Sequence, residues 1–126
     1  MSVFEHPEFD HHEAIHYFDD PDTGLRAIIA VHSTALGPAA GGCRRWKYAS
    51  SKEALTDVLR LSRGMTYKNA IAGLPFGGGK AVILAEDGQQ KSAELLHAFG
   101  DAVDSLGGKY ITAEDVGISV DDMRQV

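Results

Sequence analysis

Lys80 stands directly behind Gly77, Gly78 and Gly79 and directly ahead of the apolar run Ala81-Val82-Ile83-Leu84. A glycine run that ends in lysine raises the question of phosphate binding. A P-loop needs G-x-x-x-x-G-K-[ST], but Leu74 stands five before Gly79 and Ala81 replaces the hydroxyl that would meet Mg²⁺. The dinucleotide fingerprint G-x-G-x-x-G also fails, because Val82 occupies its third glycine position after Gly77 and Gly79. The 126 residues therefore carry no nucleotide motif. What remains is a lysine at the lip of a strand, approached by glycines that let a ligand or a neighbouring backbone come close. A lysine there is partly withdrawn from water, which disfavours its charged form and suits it to act as a base. Lys68 adds a second cation and Asp115 a carboxylate. Two lysines and a carboxylate around glycine-lined space suit an anionic amine or a keto acid. Each residue also has a plainer reading, as a solvated lysine or a turn acid.

The elements that must position these groups can be read from periodicity and punctuation. Residues 13–19 alternate loosely, Asp20-Pro21-Asp22-Thr23-Gly24 is a dense turn signal, and residues 25–32 are apolar and β-branched, which predicts a β-hairpin. Residues 36–42, with almost no side chains, read as a loop. Ser50 with Glu53 three residues later has capping-box spacing, and Leu55, Val58, Leu59, Ser62 and Met65 recur at helical intervals, so a helix runs from there and ends before Gly73. Lys68 falls near its end. Residues 81–84 form a short buried strand. Leu95, Leu96, Phe99, Val103 and Leu106 mark a second helix, stopped by Gly107 and Gly108. Residues 110–113 are the next strand, followed by Asp115. Hairpin, helix, strand, helix and strand predict a single α/β domain, with a mixed sheet, parallel crossovers and helices on its faces. If the last two strands run parallel, Asp115 and Lys80 reach the same sheet edge.

Composition narrows the function classes. Hydrophobic residues make up 44% and charged residues 24%, the profile of a globular protein rather than a disordered chain. A formal net charge of −6 argues against a nucleic-acid partner. No apolar run reaches the length of a membrane span. A single cysteine, Cys43, and no secretory signal at the start point to the cytoplasm. Cys43 beside Arg44 and Arg45 could be an activated thiol, although packing is the commoner role. His11, His12 and His16 are expected at the surface, without a metal, because strand geometry keeps His12 and His16 too far apart to chelate together. Trp46 and Tyr48 are expected in the core or at a subunit contact.

The segments GPAAGGCRRW (37–46), RLSRGMTYKNAIAGLPFGGGKAVI (60–83) and ITAEDVG (111–117) resemble the N-terminal domain of the glutamate/leucine/phenylalanine/valine dehydrogenases, most closely the leucine and phenylalanine branch. The resemblance runs from about Asp10 to the end, in the family's order and spacing. It implies reversible oxidative deamination of an L-amino acid to its 2-oxo acid and ammonia, with NAD(P)⁺ as hydride acceptor. Lys80 would then be the catalytic lysine that activates water against the imine, and Asp115 the proton-handling acid beside it. Lys68 would hold the substrate α-carboxylate. Gly41 and Gly42 would lie against the substrate main chain, with Gly77, Gly78 and Gly79 shaping the cleft wall. The glutamate branch resembles P-x-K-G-G, where lysine meets a side-chain carboxylate. Here Ala40 takes that place, and it also departs from the leucine usual in the apolar branch. An apolar pocket for leucine, valine or phenylalanine is the expectation, though one methyl discriminates by only about 1–3 kcal/mol.

The resemblance further implies subunit contacts and hence a homo-oligomer. Ser119 caps a helix that carries Asp121 and Asp122 in its first turn, yet the residues stop at Val126. The expectation is a substrate-binding and dimerisation domain, residues 1–126, cut short at its C-terminus and lacking the Rossmann domain that would bind NAD. Alone it should be inactive. A different class of reading is a stand-alone, non-catalytic binding or assembly domain derived from the same family.

Overall fold

The Asp20 to Gly24 turn closes the predicted hairpin in a computed structural model that describes residues 2–124 and residue 126. Asp20 Oδ1 accepts from the backbone N–H of Asp22, and Gly24 takes the left-handed conformation (φ 79°) that completes the reversal. Strands β1 (Ala14–Asp20) and β2 (Leu25–Ser33) pair antiparallel from Ala14↔Val31 to Asp20↔Leu25.

The stretch read as a side-chain-poor loop is in fact a strand. β3 (Ala39–Trp46) lies inside the sheet, parallel to β4 (Gly77–Leu84) on one side and to β5 (Tyr110–Ala113) on the other. Bonding on both edges overrides the weak intrinsic strand preference of glycine and alanine. The lack of side chains is what lets β3 fit. A Cβ on Gly41 would lie 1.7 Å from the carbonyl oxygen of Gly79, so only glycine permits this approach. β4 likewise starts at Gly77, before the predicted residue 81, and places Lys80 inside the strand rather than at its lip. The resulting order is β1-β2-β4-β3-β5, in which β2 alone runs against the others.

Two helices make the parallel crossovers. α1 (Ser51–Ile71) links β3 to β4, and α2 (Ala93–Asp104) links β4 to β5. Ser50 accepts from the N–H of Glu53 and Ser92 from that of Leu95, so both helices begin at satisfied caps. α1 ends before Gly73, as predicted. It buries Ala54 and Val58 against Ile28, Ala30 and Val82 on one face of the sheet. α2 buries Leu95, Leu96 and Phe99 against Ile29, Ala81 and Ile83 on the other. Alternation along each strand therefore decides which face a residue serves. A last short helix, α3 (Val120–Met123), starts at a full capping box between Ser119 and Asp122. Among the described residues no helix is long and apolar enough to cross a membrane.

Candidate active site

Lys80 follows the even-numbered alternation of β4 onto the α1 face, level with Ala30 of β2. It is buried, with a relative exposure of 6%, and a buried ammonium requires a counter-charge. Asp115 supplies it: Lys80 Nζ lies 2.5 Å from Asp115 Oδ2. The carboxylate sits in a tight turn just past β5, where the backbones of Asp115 and Ile118 bond each other and Arg45 N–H donates to Val116 O. Burial pushes the Asp115 carboxyl upward. The Lys80 ammonium, the Val116 N–H and the Arg44 guanidinium outweigh that effect and hold it below the usual carboxylate range.

Gly42 shares this face and leaves room for the acid. A Cβ there would come within 3.0 Å of the Asp115 Cβ and 2.7 Å of the Glu114 carbonyl oxygen. The β3–β4 register is paired at Ala39 and Ala40 and again from Cys43 onward. Between those points, the Gly41 and Gly42 carbonyls are held from the opposite face by Tyr110, whose hydroxyl donates at 2.8 and 3.1 Å. Asn69 near the end of α1 ties the next residues down. Its side-chain amide donates to Gly77 O (2.7 Å) and Ala40 O (3.2 Å).

Lys68 precedes Asn69 in the last turn of α1 and is exposed. It makes no ion pair among the described residues. Met65, one turn earlier, points at Gly41, with its Cγ 3.2 Å from where a Gly41 Cβ would be, so the helix brings Lys68 to the Ala40–Gly41 end of the site. Lys80, Asp115 and Gly42 are thus directly assembled, while Lys68 stands at the margin. At Gly77, Gly78 and Gly79 the missing Cβ positions are filled by Ser33 O, by Thr66 and by the Tyr110 ring. On those sides the close neighbour is this chain itself, not a ligand.

One expectation changes, at His12. His12 is buried rather than at the surface, because its Nε2 reaches Leu59 O (2.9 Å) and Ser62 Oγ (3.1 Å) on α1; His11 is exposed and His16 half-buried. Cys43 is fully buried on the α2 face, and burial pushes its thiol far up despite the nearby Lys80, so packing is its role. Trp46 is half-exposed and so lies outside the core, the first of the two places expected for it.

The family model described as Glu/Leu/Phe/Val dehydrogenase, dimerisation domain, matches residues 12–126. The chain belongs to this family. A phenylalanine dehydrogenase of Bacillus thermotolerans is 56% identical over 122 residues, which are 97% of this chain and 31% of that protein. A valine dehydrogenase of Streptomyces virginiae is 58% identical over 121 residues, 96% of this chain and 34% of the relative. The crystal structure of L-tryptophan dehydrogenase from Nostoc punctiforme superposes with a TM-score of 0.87 at 49% identity, covering 91% of this chain and 34% of that one. The chain therefore spans about a third of the length of these relatives.

Sequence reasoning missed several residues that build the site of this dehydrogenase-family domain. Thr66 and Asn69 continue from Ser62 as a polar i, i+4, i+7 stripe on the sheet-facing side of α1, which an apolar count does not follow past Ser62. Arg44 would have been placed beside Gly42 and Ala40 had β3 been read as a strand. Tyr110 gave no signal, since its partners are the carbonyls of a distant strand.

Proposed function

We propose that the chain is the substrate-binding and dimerisation domain of an NAD-dependent amino-acid dehydrogenase acting on an apolar L-amino acid such as leucine, valine or phenylalanine. The observation that carries this reading is the buried Lys80–Asp115 pair, set beside the Gly41–Gly42 backbone on a domain of this family. The overall reaction is reversible oxidative deamination, in which NAD⁺ accepts a hydride equivalent and the amino acid becomes a 2-oxo acid and ammonia. Lys80, after passing its ammonium proton to Asp115, takes the proton of the water whose oxygen bonds the imine carbon. Asp115 passes a proton to the departing nitrogen, which leaves as ammonia. Lys68 pairs with the α-carboxylate, Gly41 and Gly42 flank the substrate main chain, and Ala40 lines the side-chain pocket with a methyl where a lysine would favour glutamate.

The glycine run before Lys80 does not suit NAD. Gly77, Gly78 and Gly79 belong to β4, and their open sides are taken up by Ser33, Thr66 and Tyr110, leaving no cradle for a pyrophosphate. The cofactor is assigned mainly to the remainder of the parent enzyme, a soluble cytoplasmic homo-oligomer whose subunits meet through this domain.

The test is NAD-dependent oxidation by a full-length protein that carries this domain, offered leucine, valine, phenylalanine and glutamate in turn. Turnover of the apolar substrates with glutamate rejected is expected. Preference for glutamate, or no turnover of any of the four, would refute the reading.

A further inference from the structure

Asp115 Oδ2 meets two cations, Lys80 Nζ from β4 at 2.5 Å and Arg44 Nε from β3 at 3.3 Å. The turn that carries Asp115 fixes its backbone through the Asp115–Ile118 and Arg45–Val116 bonds, and the Val116 N–H reaches its carboxylate. Lysine is a point charge on a flexible stem and imposes little direction on a carboxylate. Arg44 Nε makes no hydrogen bond to the Asp115 carboxylate, so the guanidinium acts on it through charge, from a place set by its contact with Asp57.

Arg44 is itself anchored. Its Nη1 lies 3.5 Å from Asp57 Oδ2 on α1, and the same oxygen accepts from the Tyr48 hydroxyl at 2.5 Å. Arg60 Nη2 holds the other oxygen of Asp57 at 3.4 Å. The side chains of Arg44, Asp57 and Asp115 are all largely withdrawn from solvent, at 25%, 14% and 21% exposure. Charges thus alternate from Lys80 through Asp115, Arg44 and Asp57 to Arg60, crossing from β4 to α1. Three further titratable groups lie near Asp115. Burial and their surroundings hold the proton on Cys43, Tyr48 and Tyr110, so Lys80 and Arg44 are the charges that act on the acid.

We propose that Arg44 is a positioning residue, whose guanidinium, anchored on Asp57, holds the Asp115 carboxylate against the Lys80 ammonium. The catalytic meaning of this clamp rests on the reading of Asp115 as the proton-handling acid; its geometry does not. Removing the guanidinium leaves Asp115 with one cation instead of two, and leaves Asp57 without its link to the sheet.

The experiment is a carbon-detected NMR titration of the Asp115 carboxyl in the 126-residue chain, comparing wild type with Arg44→Gln, Arg44→Lys and Tyr48→Phe. Loss of an adjacent opposite charge is expected to raise the Asp115 midpoint by about one pH unit in Arg44→Gln. Arg44→Lys is expected to restore part of that change. Tyr48→Phe, which removes the hydroxyl's hydrogen bond to Asp57, should move the midpoint the same way by less. An unchanged midpoint in Arg44→Gln and Tyr48→Phe overturns the proposal. If Arg44→Gln loses its dispersed spectrum, Tyr48→Phe decides alone, and an unchanged midpoint there overturns it. Failure of a full-length protein to oxidise amino acids would leave these shifts in place, so the two readings fail separately.

Discussion

Two buried side chains here have different company, and the difference is whether a counter-charge comes with burial. Lys80 is buried with the Asp115 carboxylate. His12 is buried among neutral acceptors, so desolvation lowers its imidazole below the ordinary 6.5, with the His32 ring adding to the effect and the Leu59 carbonyl and Asp10 opposing it. Asp10 N–H donates to His12 Nδ1, which leaves Nε2 to carry the proton toward Leu59 O. A histidine whose folded value is depressed binds its proton more readily when unfolded. Its contribution to stability is therefore complete above about pH 6.5 and is lost as pH falls through the lowered folded value, at no more than about 1.4 kcal/mol per pH unit. Urea unfolding at a series of pH values should show this loss, and His12→Gln should flatten it. An identical pH slope in the variant would remove His12 from the explanation. None of this was legible in the sequence, where His12 reads as one of three surface histidines. Its partners Leu59 and Ser62 lie about fifty residues away.

At the scale of elements, what could be read was whatever had a local signal. The hairpin, the caps at Ser50 and Ser119, and the buried faces of both long helices follow from turn chemistry and periodicity. β3 was hidden because a strand of alanine and glycine has no alternation to detect, and its reason for being a strand lies in β4 and β5. The same absence concealed the site's geometry, since Lys80 could not be placed mid-strand until Gly77, Gly78 and Gly79 were known to be paired. The packing of β3 on β4 is correspondingly intolerant. Gly41→Ala puts a methyl 1.7 Å from Gly79 O, a clash with backbone that no rotamer relieves. The expected cost is roughly 1–3 kcal/mol or more, read as a lower urea midpoint at unchanged slope. Gly73→Ala, where nothing lies within 4 Å but φ is +71°, is the control for conformational strain without a clash. Equal losses in the two variants would show that close approach of β3 to β4 is not what requires glycine at position 41.

The described residues form one sheet between two long helices, which gathers on the α1 face a lysine from β4, a glycine-lined backbone from β3 and an acid from the turn after β5. The sequence motifs identified the members of that set through family resemblance, whereas spacing alone left each of them with an ordinary structural alternative. The chain covers about a third of its relatives, so on its own it is expected to show no NAD-dependent turnover. The most direct measurement is therefore the steady-state rate of Lys80→Ala in a full-length protein that carries this domain, with leucine as substrate and a thermal melt to establish that the fold is retained. A fall in kcat of about 10²–10⁴-fold with the melt unchanged is expected of a base that activates water. A folded variant that turns over within a few-fold of wild type would contradict the assignment of Lys80, and with it the reading of this face as an active site.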